Sequence, residues 1–292
     1  MPELPEVEVV RAGLEPAITG ATVTGVRILD ERSLRRHDGA TEDFVDRLVG
    51  STFAEPRRRG KFLWVPTERD VALVVHLGMS GQVLLREPDA PIGRLTRISI
   101  DVVHPQHRSL RVDFVDQRIF GSMALDSLVE SGDVRGDLVP HQVAHIARDP
   151  MDTGFDDARF FARLARRNTG IKRALLDQTL ISGIGNIYAD EALWAARIHY
   201  DQPTATLTRP RAKTLLAEVR LVLGKALAEG GTSFDAQYLN VNGESGYFSH
   251  SLNAYGRQGL PCPRCGRVIV REQFMNRGSH FCPWCQRVRT GH

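Results

Sequence analysis

The chain has 292 residues, 42% of them hydrophobic and 25% charged, with a formal net charge of +3. That length and composition suit a soluble protein with a real core and more than one domain. No apolar run reaches the length of a membrane span and no signal-peptide pattern opens the sequence, so the expectation is a cytosolic protein without membrane segments.

The charge is unevenly placed. From Asn253 to His292 there are seven Arg and one Glu, so the total of +3 splits into +6 there and −3 over the first 252 residues. A basic tail is expected of a surface that meets phosphate.

The chain opens Met1-Pro2-Glu3-Leu4-Pro5-Glu6. If Met1 is removed, Pro2 becomes a free secondary α-amine with a pKa of roughly 7.7–8.0, a usable nucleophile near neutral pH. Glu3 and Glu6 could then supply a general acid and a second polar contact. The same residues are also an ordinary helix start, because Pro suits the first turn and Glu6 and Glu8 suit the positive end of the helix dipole. From Glu6 to Glu15 the spacing of Val7, Val10 and Leu14 predicts an amphipathic helix.

Beyond Ala21 the pattern changes to short β segments. They are expected at Thr22–Leu29, Phe62–Val65, Val71–Leu77, Ile98–Val103 and Leu110–Val115, parted by Gly, Pro and Asp. Such a series without long helices predicts a two-layer antiparallel sandwich. Asp126 to Phe155 is polar and poorly periodic and reads as the domain connection. Helices follow around Phe160, Phe161 and Leu164, then around Ile171, Leu175 and Leu176, and over Ile187–Ile198. A long fourth helix is expected after Thr208, with Pro210 in its first turn, Leu216, Val219, Leu223 and Leu227 inward, and Gly230-Gly231 as its stop. Thr232–Asn253, rich in Gly, Asn and Ser, reads as a loop.

All four cysteines fall in the last thirty-one residues, as Cys262-x2-Cys265, sixteen residues, and Cys282-x2-Cys285. Two such knuckles fit one structural zinc, closed by four thiolates with no position left for substrate. A pair of disulfides or four idle thiols are the alternatives; disulfides do not suit a cytosolic chain, and the spacing speaks against chance.

Ile171-Lys172-Arg173-Ala174-Leu175-Leu176-Asp177-Gln178 and Ser182-Gly183-Ile184-Gly185-Asn186-Ile187-Tyr188 read as helix, glycine-bearing turn, helix. Asn186 is expected at the N-cap, where open backbone N–H groups would seat a phosphate beside Lys172, Arg166 and Arg167. A structural helical hairpin with an ordinary cap is the other reading.

Taken together, the opening Met1-Pro-Glu-Leu-Pro-Glu-Val, His76-Leu-Gly-Met-Ser-Gly81, Leu176-Asp-Gln…Gly-Ile-Gly-Asn-Ile-Tyr188, Gly230-Gly-Thr232, Tyr255-Gly-Arg-Gln-Gly259 and the paired cysteine knuckles resemble bacterial formamidopyrimidine-DNA glycosylases over essentially the whole chain. Leu4 and Val7 favour that branch over the endonuclease VIII-like one, which prefers oxidised pyrimidines. The resemblance implies an α+β fold: an N-terminal helix and β-sandwich (1–130), a connection (131–155), a helix–two-turns–helix domain (156–252) and a zinc ribbon (253–292). It implies excision of 8-oxoguanine and ring-opened purines from damaged double-stranded DNA lying between domains. The protein would act as a cytoplasmic monomer on the nucleoid, with one structural zinc and no redox cofactor.

By the same resemblance Pro2 would be the nucleophile that forms a Schiff base at C1′, and Glu3 the acid/base. Lys61 would hold a phosphate and assist β-elimination, and Arg277 would clamp phosphate and assist δ-elimination. Met79, Arg118 and Phe120 would fill the gap left by the everted base. Arg167, Lys172 and Asn186 would hold phosphates. Glu6, Thr232 and Tyr247 would touch the substrate, the last two in a lid spanning Thr232–Phe248. Two departures stand out: the family's usual Asp-Pro-Arg-Arg-Phe-Gly is Asp116-Gln-Arg-Ile-Phe-Gly121 here, and a DNA-contacting His of the β domain is Leu95. Both would trim affinity. An oxidised-pyrimidine glycosylase and a non-catalytic lesion-binding paralogue remain as alternatives. A plain zinc-ribbon DNA-binding protein would leave the N-terminus unexplained.

Overall fold

The computed structural model describes residues 2–106, 108–231, 241 and 248–289. Helix α1 (Leu4–Ile18) starts at once because Glu3 and Glu6 form a capping box, in which the Glu6 carboxylate accepts the Glu3 N–H at 2.8 Å. Pro5 sits in its first turn, where a missing N–H costs no helix bond. Strand β1 (Thr22–Ile28) and helix α2 (Thr41–Leu48) follow, then β2 (Arg57–Arg59), β3 (Phe62–Pro66), β4 (Val71–His76), β5 (Gly81–Arg86), β6 (Thr96–Val103), β7 (Leu110–Asp116), β8 (Ser122–Glu130) and β9 (Leu138–Pro140).

The strands form two antiparallel sheets, ordered β1-β6-β7-β5 and β2-β3-β4-β8-β9. Register puts alternate apolar side chains on one face of each. Leu63 pairs with Val75, and Val75 with Met123, in the second sheet; Ile98 pairs with Phe114, and Val83 with Phe114, in the first. These residues share one core with Val7, Val10 and Leu14 of α1 and with Phe44 and Leu48 of α2. Strands β2, β5 and β8 were not singled out within the β region, and β9 lies inside the stretch read as a connection.

The chain divides into two compact units, Met1–His145 with Gly230–Gly246, and Ile146–Glu229 with Tyr247–His292. The second unit is built from α3 (Asp157–Ala165), α4 (Ile171–Leu176), α5 (Asn186–Ala195) and α6 (Arg209–Ala228), with the hairpin β10 (Val270–Phe274) and β11 (Arg277–Phe281). The Asp156 side chain caps α3 by accepting from Arg159 N. Thr208 occupies the N-cap of α6, but its hydroxyl makes no capping bond. Among the described residues no helix is long and apolar enough to cross a membrane.

Candidate DNA-lesion site

In the first unit the N-terminal residues are fixed by burial. Pro2, Leu4 and Val7 are buried, and Glu3 and Glu6 are buried with them at 2% and 7% exposure. Gly231 (φ +83°) comes so near that a Cβ there would stand 3.0 Å from the Glu6 carboxylate, so the stretch leading into Thr232 abuts this helix start. Thr232 and Tyr247 themselves lie outside the described residues.

Lys61 occupies the two-residue turn between β2 and β3, beside Gly60 at φ +58°. That turn is tied to α1 by Arg58. Its Nε donates to the Glu8 carboxylate at 2.8 Å and its Nη1 to the Gly60 carbonyl at 3.1 Å. One ion pair therefore sets the turn carrying Lys61 against the helix that begins at Leu4.

Met79 sits on the turn between β4 and β5, and Arg118 and Phe120 on the loop between β7 and β8. All three side chains are exposed, Met79 at 38% and Phe120 at 44%, so they are not core residues. The Arg118 guanidinium stacks over the Phe120 ring at 4.9 Å. Ile119, which departs from the family pattern, takes φ +55°, a conformation rare for a β-branched residue.

Sequence reasoning passed over His76, at the end of β4 in the same unit. Its Nδ1 accepts the Gly78 N–H at 3.1 Å, and its ring packs 4.8 Å from Phe62. Burial, then the charges of Arg36, Lys61 and Arg35, push its pKa down to about 4. The imidazole is thus neutral at physiological pH amid three cations.

The second unit revises two expectations. Asn186 is the first residue of α5; Gly185 holds the N-cap, and the Asn186 side-chain amide donates to the Gly278 carbonyl at 3.2 Å. Lys172 is fully buried. Its ammonium pairs with Asp190 at 2.6 Å and donates to the Gly278 carbonyl and the Ser279 hydroxyl at 3.1 and 2.8 Å. No solvent-facing ammonium is left to meet a phosphate directly, so Lys172 serves the β10–β11 hairpin that carries Arg277.

The exposed Arg277 begins β11 right after the tip, where Met275 takes φ +52°. Arg167 is half-exposed and pairs with Asp177 at 2.6 Å. The glycine-bearing turn is stapled by Gln178, which accepts from Gly183 N and donates to the Leu176 and Ile184 carbonyls.

Sequence reasoning also missed the adjacent acids Asp190 and Glu191, both buried in α5. Asp190 accepts from His280 through both its backbone N–H and its ring, and Glu191 accepts the backbone N–H groups of Asn253, Ala254 and Tyr255. Burial pushes the Glu191 carboxyl up, and those three donors pull against it. The available signal was two acids inside the otherwise apolar Ile187–Ala195 stretch.

The sulfurs of Cys262, Cys265, Cys282 and Cys285 all lie within 4.8 Å of one another. At Zn–S bonds of about 2.3 Å a tetrahedral ion places its sulfurs about 3.8 Å apart, inside that limit, so the set fits one structural zinc. The Trp194 indole N–H reaches Cys262 Sγ at 3.4 Å and joins the ribbon to α5.

Comparison with known proteins is direct. The model of the formamidopyrimidine-DNA glycosylase N-terminal domain matches residues 1–123, that of the formamidopyrimidine-DNA glycosylase H2TH domain 146–237, and that of the zinc finger found in FPG and IleRS 259–288. The chain belongs to the formamidopyrimidine-DNA glycosylase family. A formamidopyrimidine-DNA glycosylase of Leifsonia xyli subsp. xyli is 64% identical, covering 99% of this chain and 100% of the relative. One of Streptomyces avermitilis is 56% identical, covering 99% and 98%. Among solved structures, a Lactococcus lactis FPG mutant in complex with a Fapy-dG containing DNA is similar at TM-score 0.84 and 31% identity, over 98% of this chain and 100% of that one. Lactococcus lactis Fpg in complex with an abasic-site DNA is similar at TM-score 0.82 and 30% identity, over 98% and 99%.

Two outcomes are expected. Because the folded pKa of His76, about 4, lies below its ordinary 6.5, the native state binds fewer protons than the unfolded one between these values. Stability should therefore rise with pH across that window, by up to about 1.4 kcal/mol per pH unit from this group. His76→Gln should flatten the slope in urea titrations run from pH 4 to 7. Lys172→Met leaves the Asp190 charge buried without its ammonium and should destabilise the second unit by about 3–5 kcal/mol, measured by urea unfolding.

Proposed function

We propose that the protein is a bifunctional DNA glycosylase and abasic-site lyase that excises oxidised purines from double-stranded DNA. The observation that carries this reading is the anchoring of the chain's own start. A capping box and the buried apolar face of α1 hold Pro2 and Glu3 still, and the Glu8–Arg58–Gly60 connection sets the Lys61 turn against the same helix. The names of the relatives and the lesion-containing DNA in the similar structures support the substrate class.

With Met1 removed, the Pro2 secondary amine attacks C1′ of the damaged nucleotide. The bond from C1′ to the base breaks, the base leaves with a proton, and the ring-opened sugar is held as an iminium on Pro2. Glu3 handles the proton at the sugar-ring oxygen. Loss of a C2′ proton then expels the 3′ phosphate, and a second elimination expels the 5′ phosphate. Lys61 and Arg277 each neutralise a leaving phosphate, a task the forked guanidinium of Arg277 suits. The lesion must leave the stack first, and Met79, Arg118 and Phe120 occupy the space it vacates. Binding rests largely on phosphate contacts, Arg167 and Asn186 among them, and weakens steeply with salt. The protein acts as a monomer in the bacterial cytoplasm, and the 131–155 stretch and the 253–292 ribbon delimit its parts.

The test is excision from matched duplexes carrying 8-oxoguanine opposite cytosine or an oxidised pyrimidine. Purine excision should be at least about tenfold faster, the scale of discrimination a shaped pocket supplies, and Arg277→Ala should shift products from δ- towards β-elimination. Preference for the pyrimidine, or an unchanged product ratio in Arg277→Ala, would contradict the assignment.

A further inference from the structure

The loop carrying Arg118 and Phe120 projects two exposed side chains around a left-handed Ile119, so its shape must be imposed from outside. Two groups impose it. From within, the Asp116 carboxylate accepts the N–H of Gly121 at 2.6 Å, the N–H of Arg118 at 3.1 Å and the hydroxyl of Ser80 at 2.5 Å. From outside, the Arg35 guanidinium spans three successive carbonyls: its Nη1 donates to Ile119 O at 2.9 Å and to Gly121 O at 3.0 Å, and its Nη2 donates to Phe120 O.

The turn bearing Met79 is joined to the same loop backbone to backbone. A Cβ on Gly78 would stand 2.3 Å from the Phe120 carbonyl carbon and oxygen and 2.5 Å from Gly121 N, and Gly78 also takes φ +62°. Ser80 completes the joint, because its hydroxyl accepts from Arg118 N at 3.2 Å. Met79, Arg118 and Phe120 thus belong to one body.

We infer that Arg35 is a positioning residue that preassembles Met79, Arg118 and Phe120 into a single rigid wedge before DNA is met. The inference rests on the reading of those three residues as the group that enters the base stack. A wedge ordered in advance loses no loop entropy on insertion, so more of the binding free energy goes to opening the stack. The guanidinium spans the three successive carbonyls from two nitrogens held in one plane; a lysine ammonium, whose three donors radiate from a single nitrogen, does not reproduce that spread.

The experiment compares wild type with Arg35→Met, Arg35→Lys, Phe120→Ala and the Arg35→Met/Phe120→Ala double variant. Hydrogen exchange of the free protein reads the clamp without reference to DNA, and Arg35→Met should speed exchange at residues 117–121 while the rest of the sandwich is unchanged. Single-turnover excision of 8-oxoguanine from duplex DNA should slow roughly tenfold in Arg35→Met, the scale of lost hydrogen bonds from a charged donor. Borohydride trapping on a single-stranded abasic oligonucleotide, where no base has to leave a stack, should fall less than about twofold. Arg35→Lys should stay nearer to Arg35→Met than to wild type. The double variant should be scarcely slower than Phe120→Ala alone, because both changes disable one device. Unchanged exchange at 117–121 overturns the inference. So does an equal loss on duplex and single strand, or full rescue by Arg35→Lys. Wild-type protein that neither excises nor traps, with exchange at 117–121 still responding to Arg35→Met, would sink the glycosylase reading and leave the clamp standing.

Discussion

The hydrogen bond from the Glu3 N–H to the Glu6 carboxylate is the contact that fixes the start of the first unit, on which the proposed chemistry depends. Chain ends ordinarily fray, yet a nucleophile at the very start of a chain has to be held as firmly as one in a core. The chain meets that demand by beginning a helix at its fourth residue and burying Leu4 and Val7 completely. The helix start is observed, and it serves the proposed catalytic N-terminus rather than competing with it. The capping box fixes the backbone, and the fixed backbone presents Pro2 and Glu3. Arg58 extends the same frame outward to Lys61 through Glu8.

In the second unit the corresponding work falls to two adjacent carboxylates of α5. Asp190 holds Lys172 and His280, and Glu191 holds the backbone of Asn253–Tyr255. Buried charges persist only when paired and fully hydrogen-bonded, so this arrangement tolerates little displacement. It ties the helix that begins at Asn186 to the hairpin bearing Arg277, with Gly278 O receiving both Lys172 and Asn186. The zinc knuckles secure the other end of that hairpin. A short ribbon with a small apolar cluster could not aim a guanidinium without them.

Much of this was legible in the sequence wherever one local pattern dominates. The apolar stripes of α1 and α6 and the spacing of Cys262, Cys265, Cys282 and Cys285 are complete within a few turns of chain. Strands were less legible. In β8 the run Ser122–Leu125 is buried whether its residues are polar or apolar, so no alternation marks it. Helix α2 offers only Phe44 and Leu48 as an apolar pair. The burial of Lys172 and the placement of Asn186 inside the helix rather than at its cap were not foreseen because their partners, Gly278 and Ser279, lie about a hundred residues away. In sequence Lys172 looks like a phosphate ligand on an exposed turn; in the fold its ammonium is drawn onto the hairpin. Asp190 and Glu191 would pass for a solvated helix face for the same reason. The opening residues alone allowed a free proline amine beside Glu3, and the family resemblance added the roles proposed for Pro2, Glu3 and Arg277.

The measurement that bears most directly on the central claim is borohydride trapping of the protein on a duplex containing one 8-oxoguanine, followed by peptide mass analysis of the adduct. The account predicts a covalent DNA adduct on a peptide that begins at Pro2, lost in Pro2→Gly and strongly reduced in Glu3→Gln. An adduct on an internal lysine, or tight lesion binding with no adduct from protein shown to lack Met1, would contradict it.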